Sequence, residues 1–167
     1  AIDYLKSISK NVIKGLDQSN KIRMALYLNE LVRFYLLPKI IKDDSEKLSK
    51  KTKIDKKHIE IMLNKYTKAS AEGADRVFYV KDTILVLRNV FHILAISLLL
   101  NNYQAEYGTL AKSMKLESKV MTGYFREMGC SFKTVEKEGK KKKKETVAIL
   151  KAPLKLNTGM KNFAKRK

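Results

Sequence analysis

The C-terminal half of the chain changes from a helical hydrophobic period to two short runs that indicate strands. Asp82 is a good N-cap for the long apolar segment that follows it, which predicts a long helix. Two short helices joined by a tight turn are predicted within EYGTLAKSMKLESKVMTGYFREMGC, and Gly129 ends the second of them. Their inward-facing residues are predicted to be Leu110, Ala111, Met114, Leu116, Val120, Tyr124, Phe125 and Met128. The run SFKTVEKEGKKKKKETVAILK then predicts a strand, a loop with five consecutive lysines and a second strand, which completes the order of a winged-helix domain.

Residues 20–81 give a similar order of predicted elements. These are a helix over about 21–37 that ends before Pro38, a short helix through about Lys51 capped by Asp43, Asp44 or Ser45, a helix over about 56–66 capped by Asp55, a loop over 70–75 and a short strand within 76–82. The repeat is expected to lie in the order of the elements and not in residue identity.

These patterns predict a mainly α fold with short β-hairpins, arranged as a tandem winged helix that is preceded by a linker helix. The predicted domains are a linker helix over residues 1–18, a first winged helix over 19–81, a second winged helix over 82–156 and a basic C-terminal tail over 157–167. The linker helix rests on an amphipathic pattern in residues 1–16. A generic helical bundle is the competing fold, but the hairpin and the two helix-turn-helix spacings favour winged helices.

The charge balance adds a class of partner to this picture. The chain carries 36 Lys and Arg residues against 17 Asp and Glu, a formal net charge of +19. Such a field favours polyanions, namely DNA, RNA, an anionic membrane or an acidic protein. The chain begins at Ala1 without a methionine, so we expect a fragment of a longer protein. The isolated fragment is expected to be monomeric. The apolar segment Thr83–Asn101 is interrupted by polar residues, which favours a buried helix over a membrane span.

The residues that could support catalysis or metal binding are few and scattered. His58 and His92 lie among apolar neighbours, which predicts core or half-buried histidines, and the single cysteine, Cys130, has no base paired with it in the pattern. The acidic cluster before Lys47 is explained by helix capping, because EF-hand spacing is missing. There is no glycine-rich phosphate loop and no zinc pattern. We therefore predict a non-enzymatic protein without a metal or cofactor.

The candidate site is a set of basic residues and one threonine, all expected to be exposed where a winged helix meets nucleic acid. It comprises the hairpin lysines Lys140, Lys141, Lys142, Lys143 and Lys144, the second helix-turn-helix residues Lys115, Lys119, Thr122 and Arg126, the first-turn residues Lys53, Lys56 and Lys57, and Lys155, Lys165 and Arg166 near the C-terminus. Few of these are side chains that read base edges bidentately, so backbone binding with little sequence preference is predicted. The alternative is that these lysines form solvated faces that only keep the protein soluble.

Four runs of the chain, taken in order, resemble one known family. They are YLNELVRFYLLPKI, NVFHILAISLLLNNY, EYGTLAKSMKLESKVMTGYFREMGC and VAILKAPLKL with the basic tail behind it. Together they resemble the C-terminal region of the forty-nine-kilodalton-type subunit of RNA polymerase I, a tandem winged-helix region that is similar to the one in the β subunit of transcription factor IIE. The resemblance extends over nearly all of residues 1–167.

The resemblance implies a built-in factor for initiation and elongation of ribosomal RNA transcription in the nucleolus. It implies binding of duplex and single-stranded DNA near the polymerase cleft, with RNA polymerase I core subunits and an initiation factor as further partners, and no membrane. The function expected is thus a non-catalytic DNA-binding module. The alternative is a winged-helix scaffold that docks an acidic protein within a transcription complex, and a membrane-surface protein is a third class.

Overall fold

The computed structural model describes residues 18–71, 77–137 and 143–151. This part of the chain is mainly helical, with six helices and two small antiparallel sheets. It separates into two compact units, residues 18–96 (the N-terminal unit) and residues 97–151 (the C-terminal unit). The helix predicted for residues 1–16 and the basic tail predicted for 157–167 lie outside the described residues. The predicted domain limits stay predictions.

Three helices of the N-terminal unit begin and end close to the predicted residues. Helix α1 is Gln18–Tyr35, α2 is Ser45–Thr52 and α3 is Lys56–Tyr66. The backbone N–H of Lys47 donates to the Asp44 carboxylate over 2.8 Å, and that of Lys57 donates to the Asp55 carboxylate over 2.9 Å. Each carboxylate satisfies an N–H group that the first helical turn leaves without a partner. The caps therefore fix the starts of both helices, and the predicted bounds of α3 are confirmed.

A three-stranded sheet completes the N-terminal unit. Its strands are β1 (Ile40–Ile41), β2 (Lys68–Ala71) and β3 (Val77–Val80), and β3 is central and antiparallel to both neighbours. Only β3 was predicted. The part of β2 that was assigned to a loop pairs with β3, since Ser70 lies opposite Phe78. All four residues of β2 are exposed, so no alternation of apolar and polar residues marks this strand.

Lys81, directly after β3, is a buried lysine that closes the end of α1. Its side-chain ammonium donates to the carbonyl oxygens of Phe34, Tyr35 and Leu37 over 2.6, 3.2 and 2.9 Å. It also lies 4.8 Å from the centroid of the Phe34 ring. A cation is favourable at a helix C-terminus, where carbonyl groups lack partners. Burial opposes the charge and lowers the pKa of Lys81 to about 8.

Helix α4 spans Thr83–Leu100, and the division between the two units falls inside it. The Asp82 carboxylate accepts the backbone N–H of Leu85 over 3.0 Å, as the predicted cap requires, and it also pairs with the Lys68 ammonium at 2.6 Å. By length and composition α4 could cross a membrane, a test that the core helices of many globular proteins also pass. Here Val90, Ile93, Leu94, Leu98 and Leu100 are almost completely buried, whereas Ile84 is 71% exposed, which indicates a helix that packs one side in a core.

The C-terminal unit contains the predicted pair of short helices and the predicted hairpin. Its elements are β4 (Gln104–Glu106), α5 (Tyr107–Met114), α6 (Ser118–Glu127), β5 (Ser131–Lys137) and β6 (Lys143–Ile149), with β6 in the centre of the sheet. Strand β4 was not predicted. Lys143 and Lys144 were placed in the loop, but their backbone belongs to β6, where they lie opposite Lys137 and Glu136. The lysine run thus extends from the loop into a strand.

The inner face of α6 differs by one residue from the predicted face. Met121 and Phe125, one turn apart, are completely buried, whereas Val120 is 39% exposed. Tyr124 and Met128 are half-buried, and Gly129 ends the helix with a left-handed φ of 83°. The placement of Val120 in the core is therefore wrong, and Met121 takes its position.

Candidate nucleic-acid interface

The two helix-turn-helix motifs have the same length and the same turn geometry. Helices α2 and α5 each have 8 residues, and three residues separate each of them from the next helix. The first turn residue is a lysine in the left-handed conformation in both, with φ 55° and ψ 40° at Lys53 and φ 54° and ψ 38° at Lys115. The last turn residue is the N-cap, Asp55 or Glu117.

A constant offset of 62 residues, from Lys53 to Lys115, relates the two motifs residue by residue. It pairs residues of the same character that are buried or half-buried in each motif, namely Leu48 with Leu110, Ile54 with Leu116, Ile59 with Met121 and Leu63 with Phe125. On the surface it pairs Lys57 with Lys119. The repeat therefore includes residue types, which corrects the expectation that only the order of elements repeats.

The lysines around the first motif fall into two electrostatic classes. Lys47, Lys50 and Lys51 of α2 form ion pairs with the carboxylates of Asp44, Glu46 and Asp43 at 3.7, 2.9 and 3.6 Å. The predicted site residues Lys53, Lys56 and Lys57 are exposed, and none of the ion pairs between described residues includes them. Their positive charges are therefore available to an external anion.

In the first motif, side chains of α1 and α2 hold the turn between α2 and α3 in place. The Arg33 guanidinium of α1 donates to the carbonyl oxygens of Thr52 and Lys53 over 3.1 and 3.3 Å. The Ser49 hydroxyl donates to the carbonyl oxygen of Ile54 over 2.6 Å. These bonds satisfy three consecutive carbonyl groups, so the left-handed backbone at Lys53 is well supported.

The predicted residues of the second motif are only partly available. Lys115, Lys119 and Arg126 are exposed, and the Arg126 guanidinium lies 5.7 Å from the centroid of the Phe132 ring on β5. Thr122 is half-buried, and its hydroxyl donates to the carbonyl oxygen of Ser118 over 2.8 Å. Its expected exposure is therefore wrong, and its hydroxyl proton is engaged within α6.

The remaining predicted site residues cannot be placed by the described part of the chain. Lys140, Lys141 and Lys142 at the hairpin loop lie outside it, as do Lys155, Lys165 and Arg166. Lys143 and Lys144 are described as backbone of β6 alone. The contribution of the hairpin to a binding surface stays a prediction.

The histidines form hydrogen bonds within the fold, and the cysteine is buried. His58 is exposed, contrary to prediction, and its Nδ1 lies 2.8 Å from the Glu30 carboxylate. The half-buried His92 shares a 2.7 Å hydrogen bond between its Nδ1 and the Tyr66 hydroxyl, and burial, followed by the charges of Lys65 and Arg88, lowers the pKa of His92. Burial raises the pKa of the Cys130 thiol to about 11, so this thiol is a poor nucleophile at neutral pH. Over the described ranges, no group of three or more His, Cys, Asp or Glu residues could hold a metal ion.

Comparison with known proteins identifies one family. The model of the family described as A49-like RNA polymerase I associated factor matches residues 2–157, which is most of the chain. A search of curated proteins finds no match.

Proposed function

The chain belongs to the A49-like RNA polymerase I associated factor family, and from this premise we propose that it is a DNA-binding module of the RNA polymerase I machinery. Membership implies a role in RNA polymerase I transcription and a nuclear location, and the family is an associated factor and not a known catalytic subunit. We propose further that the two helix-turn-helix motifs and their sheets are two winged helices, with domain limits near residues 18, 81 and 156.

One observation carries the proposal of DNA binding. In both motifs, exposed lysines lie in the turn between the two helices and in the first helical turn after it. Those of the first motif, Lys53, Lys56 and Lys57, form no ion pair with a described carboxylate. Ion pairs within the protein would neutralise these charges. Left free, they can replace the condensed counterions of a nucleic-acid backbone, and the release of those counterions drives binding.

The chemistry of the exposed residues favours contacts to phosphate over contacts to base edges. Lys119 and Arg126 are the basic residues of α6, and the helix offers no Asn or Gln that could pair bidentately with adenine. The exposed Glu117 and the half-buried Glu127 lie at its two ends and would repel a closely docked groove. We infer binding that positions DNA without reading its sequence.

We propose that this activity serves initiation and elongation of ribosomal RNA synthesis in the nucleolus. DNA would be bound near the polymerase cleft, with core subunits of RNA polymerase I and an initiation factor as protein partners. The isolated chain would be a monomer. The resemblance of the sequence and the family match support the link to RNA polymerase I, and the basic surface is compatible with DNA as the ligand.

A titration with DNA at several salt concentrations tests the proposal. Random-sequence duplexes of equal length should bind with similar Kd values, and single strands of that length should be compared with them. Each phosphate contact contributes a slope of about −0.9 to the plot of log K against log salt concentration, so about four contacts give a slope near −3.6. A flat salt response, or a strong preference for one duplex, would refute backbone binding and leave the acidic-protein scaffold as the better explanation.

A further inference from the structure

We propose that Lys53 and Lys115 are equivalent phosphate contacts, one in each helix-turn-helix motif, and that the left-handed turn presents them. This inference rests on the proposed DNA-binding function. It assigns the first contact of each motif to the turn itself, so both units take part in binding. The lysine-rich hairpin would then add to the turns of two units and would not be the sole contact.

The residue type at these two positions is unusual for their backbone. A left-handed φ is unfavourable for residues with a Cβ atom, and the position after a helix that requires it is usually Gly, or sometimes Asn. Among the described residues, the positive φ values outside glycine are those of Lys53, Asn102, Tyr103 and Lys115. Two of these four are lysines at matching positions of a repeat, which chance placement on a basic surface does not explain well.

Helix stability gives only a weak reason for a lysine in each turn. A cation near a helix C-terminus interacts favourably with the helix dipole. However, Lys50 and Lys51 already lie in the last turn of α2, and Lys112 lies in the last turn of α5. A glycine after either helix would relieve the backbone and leave a cation at the helix end. Helix capping alone therefore does not account for a lysine at both Lys53 and Lys115.

Exposure and charge identify the kind of ligand. Both side chains are exposed, and neither takes part in an ion pair between described residues. Each turn leads into a helix whose second residue is another exposed lysine, Lys57 or Lys119. Two lysines four residues apart at a rigid corner suit an extended row of phosphates.

The test compares glycine variants of the full 167-residue chain. Lys53→Gly and Lys115→Gly should each weaken binding to a random duplex by about fivefold at 0.1 M salt and reduce the magnitude of the salt slope by about 0.9. The double variant should show both losses together. The Tm of each variant should be equal to or higher than that of the parent, because glycine relieves the left-handed backbone. Lys53→Arg and Lys115→Arg should keep most of the affinity.

Lys50→Gln is the matched control for general charge. It removes the same single charge from an exposed lysine of the same motif, but Lys50 lies in a helix and is paired with Glu46. It should change the affinity by less than about twofold if contacts are local. An equal loss in this control would mean that a diffuse field attracts DNA, and would overturn the inference.

The other outcomes separate the inference from the function on which it rests. Parent protein that binds DNA while both glycine variants bind equally well would overturn the inference alone. Glycine variants that lose affinity together with thermal stability would show that the two lysines support the fold, which also overturns it. A parent protein that binds no DNA would overturn the proposed function and the inference with it.

Discussion

The packing of α6 predicts that truncating two neighbouring residues, Val120 and Met121, has different effects on stability. Met121 is completely buried, whereas Val120 is 39% exposed, although both belong to apolar pairs at helical spacing. Met121→Ala removes a side chain that is enclosed on all sides, and such truncations cost about 2–5 kcal/mol. Val120→Ala removes two methyl groups that are only partly buried, which costs about 1 kcal/mol. Alanine recovers about 0.5 kcal/mol of this through its higher helix propensity.

The expected difference between the two variants is therefore at least about 1.5 kcal/mol. In a small domain, 1 kcal/mol changes Tm by about 4–8 °C, so Met121→Ala should melt at least about 6 °C below Val120→Ala. Circular dichroism at 222 nm gives the melting curves, and hydrogen exchange of peptides that contain α6 assigns the transition to the C-terminal unit. Equal Tm values, or a lower Tm for Val120→Ala, would show that α6 is rotated and that Val120 belongs to the core.

Two further predictions concern the hairpin and the buried lysine. Replacing Lys140–Lys144 with Gln should weaken DNA binding while Tm changes little, because the sequence predicts a solvated lysine run and surface substitutions usually alter the free energy of unfolding by less than about 0.5 kcal/mol; unchanged affinity would assign the run to solvation. For Lys81, burial lowers the pKa to about 8 in the folded state, so between about pH 8 and 10.5 the unfolded chain binds more protons and the stability of the N-terminal unit should rise with pH. The rise should amount to about 1 kcal/mol between pH 8 and 9, measured by urea unfolding, and should be absent in Lys81→Met; an equal rise in that variant would mean that another group causes it.

Local signals in the sequence were enough to place most helices. Asp55 predicted the start of α3, and Asp82 predicted the start of α4, because a capping carboxylate needs only the backbone of its own next turn. The hairpin of β5 and β6 was also predicted, from two short runs with β-branched and aromatic residues on either side of a glycine- and lysine-containing loop. The three strands that were missed, β1, β2 and β4, have four residues or fewer. Such strands exist through pairing with a distant partner, which no local pattern reveals.

The core face of α6 could not be decided from spacing alone. Val120 with Tyr124 and Met121 with Phe125 are both apolar or aromatic pairs four residues apart, and only packing within the folded unit selects the second pair. The candidate site shows the same limit. The charges of Lys53 and Lys57 were visible in the sequence, but the fold was needed to show that neither forms an ion pair with another described residue and that Arg33 holds the turn. The 62-residue offset was present in the sequence and becomes clear once the two motifs are aligned by their turns.

The enclosed ammonium of Lys81 has a practical consequence for mapping the DNA contacts. Amine-acylating reagents attack unprotonated amines that they can reach, and with a pKa of about 8 Lys81 is partly unprotonated at the pH of such labelling. Only its enclosure, with 5% of the residue accessible, keeps the reagent away. Its labelling therefore reports opening of the fold, whether or not DNA is bound. In a footprinting experiment across the many lysines of this chain, Lys81 is a built-in reference that separates shielding by a ligand from shielding by the protein itself.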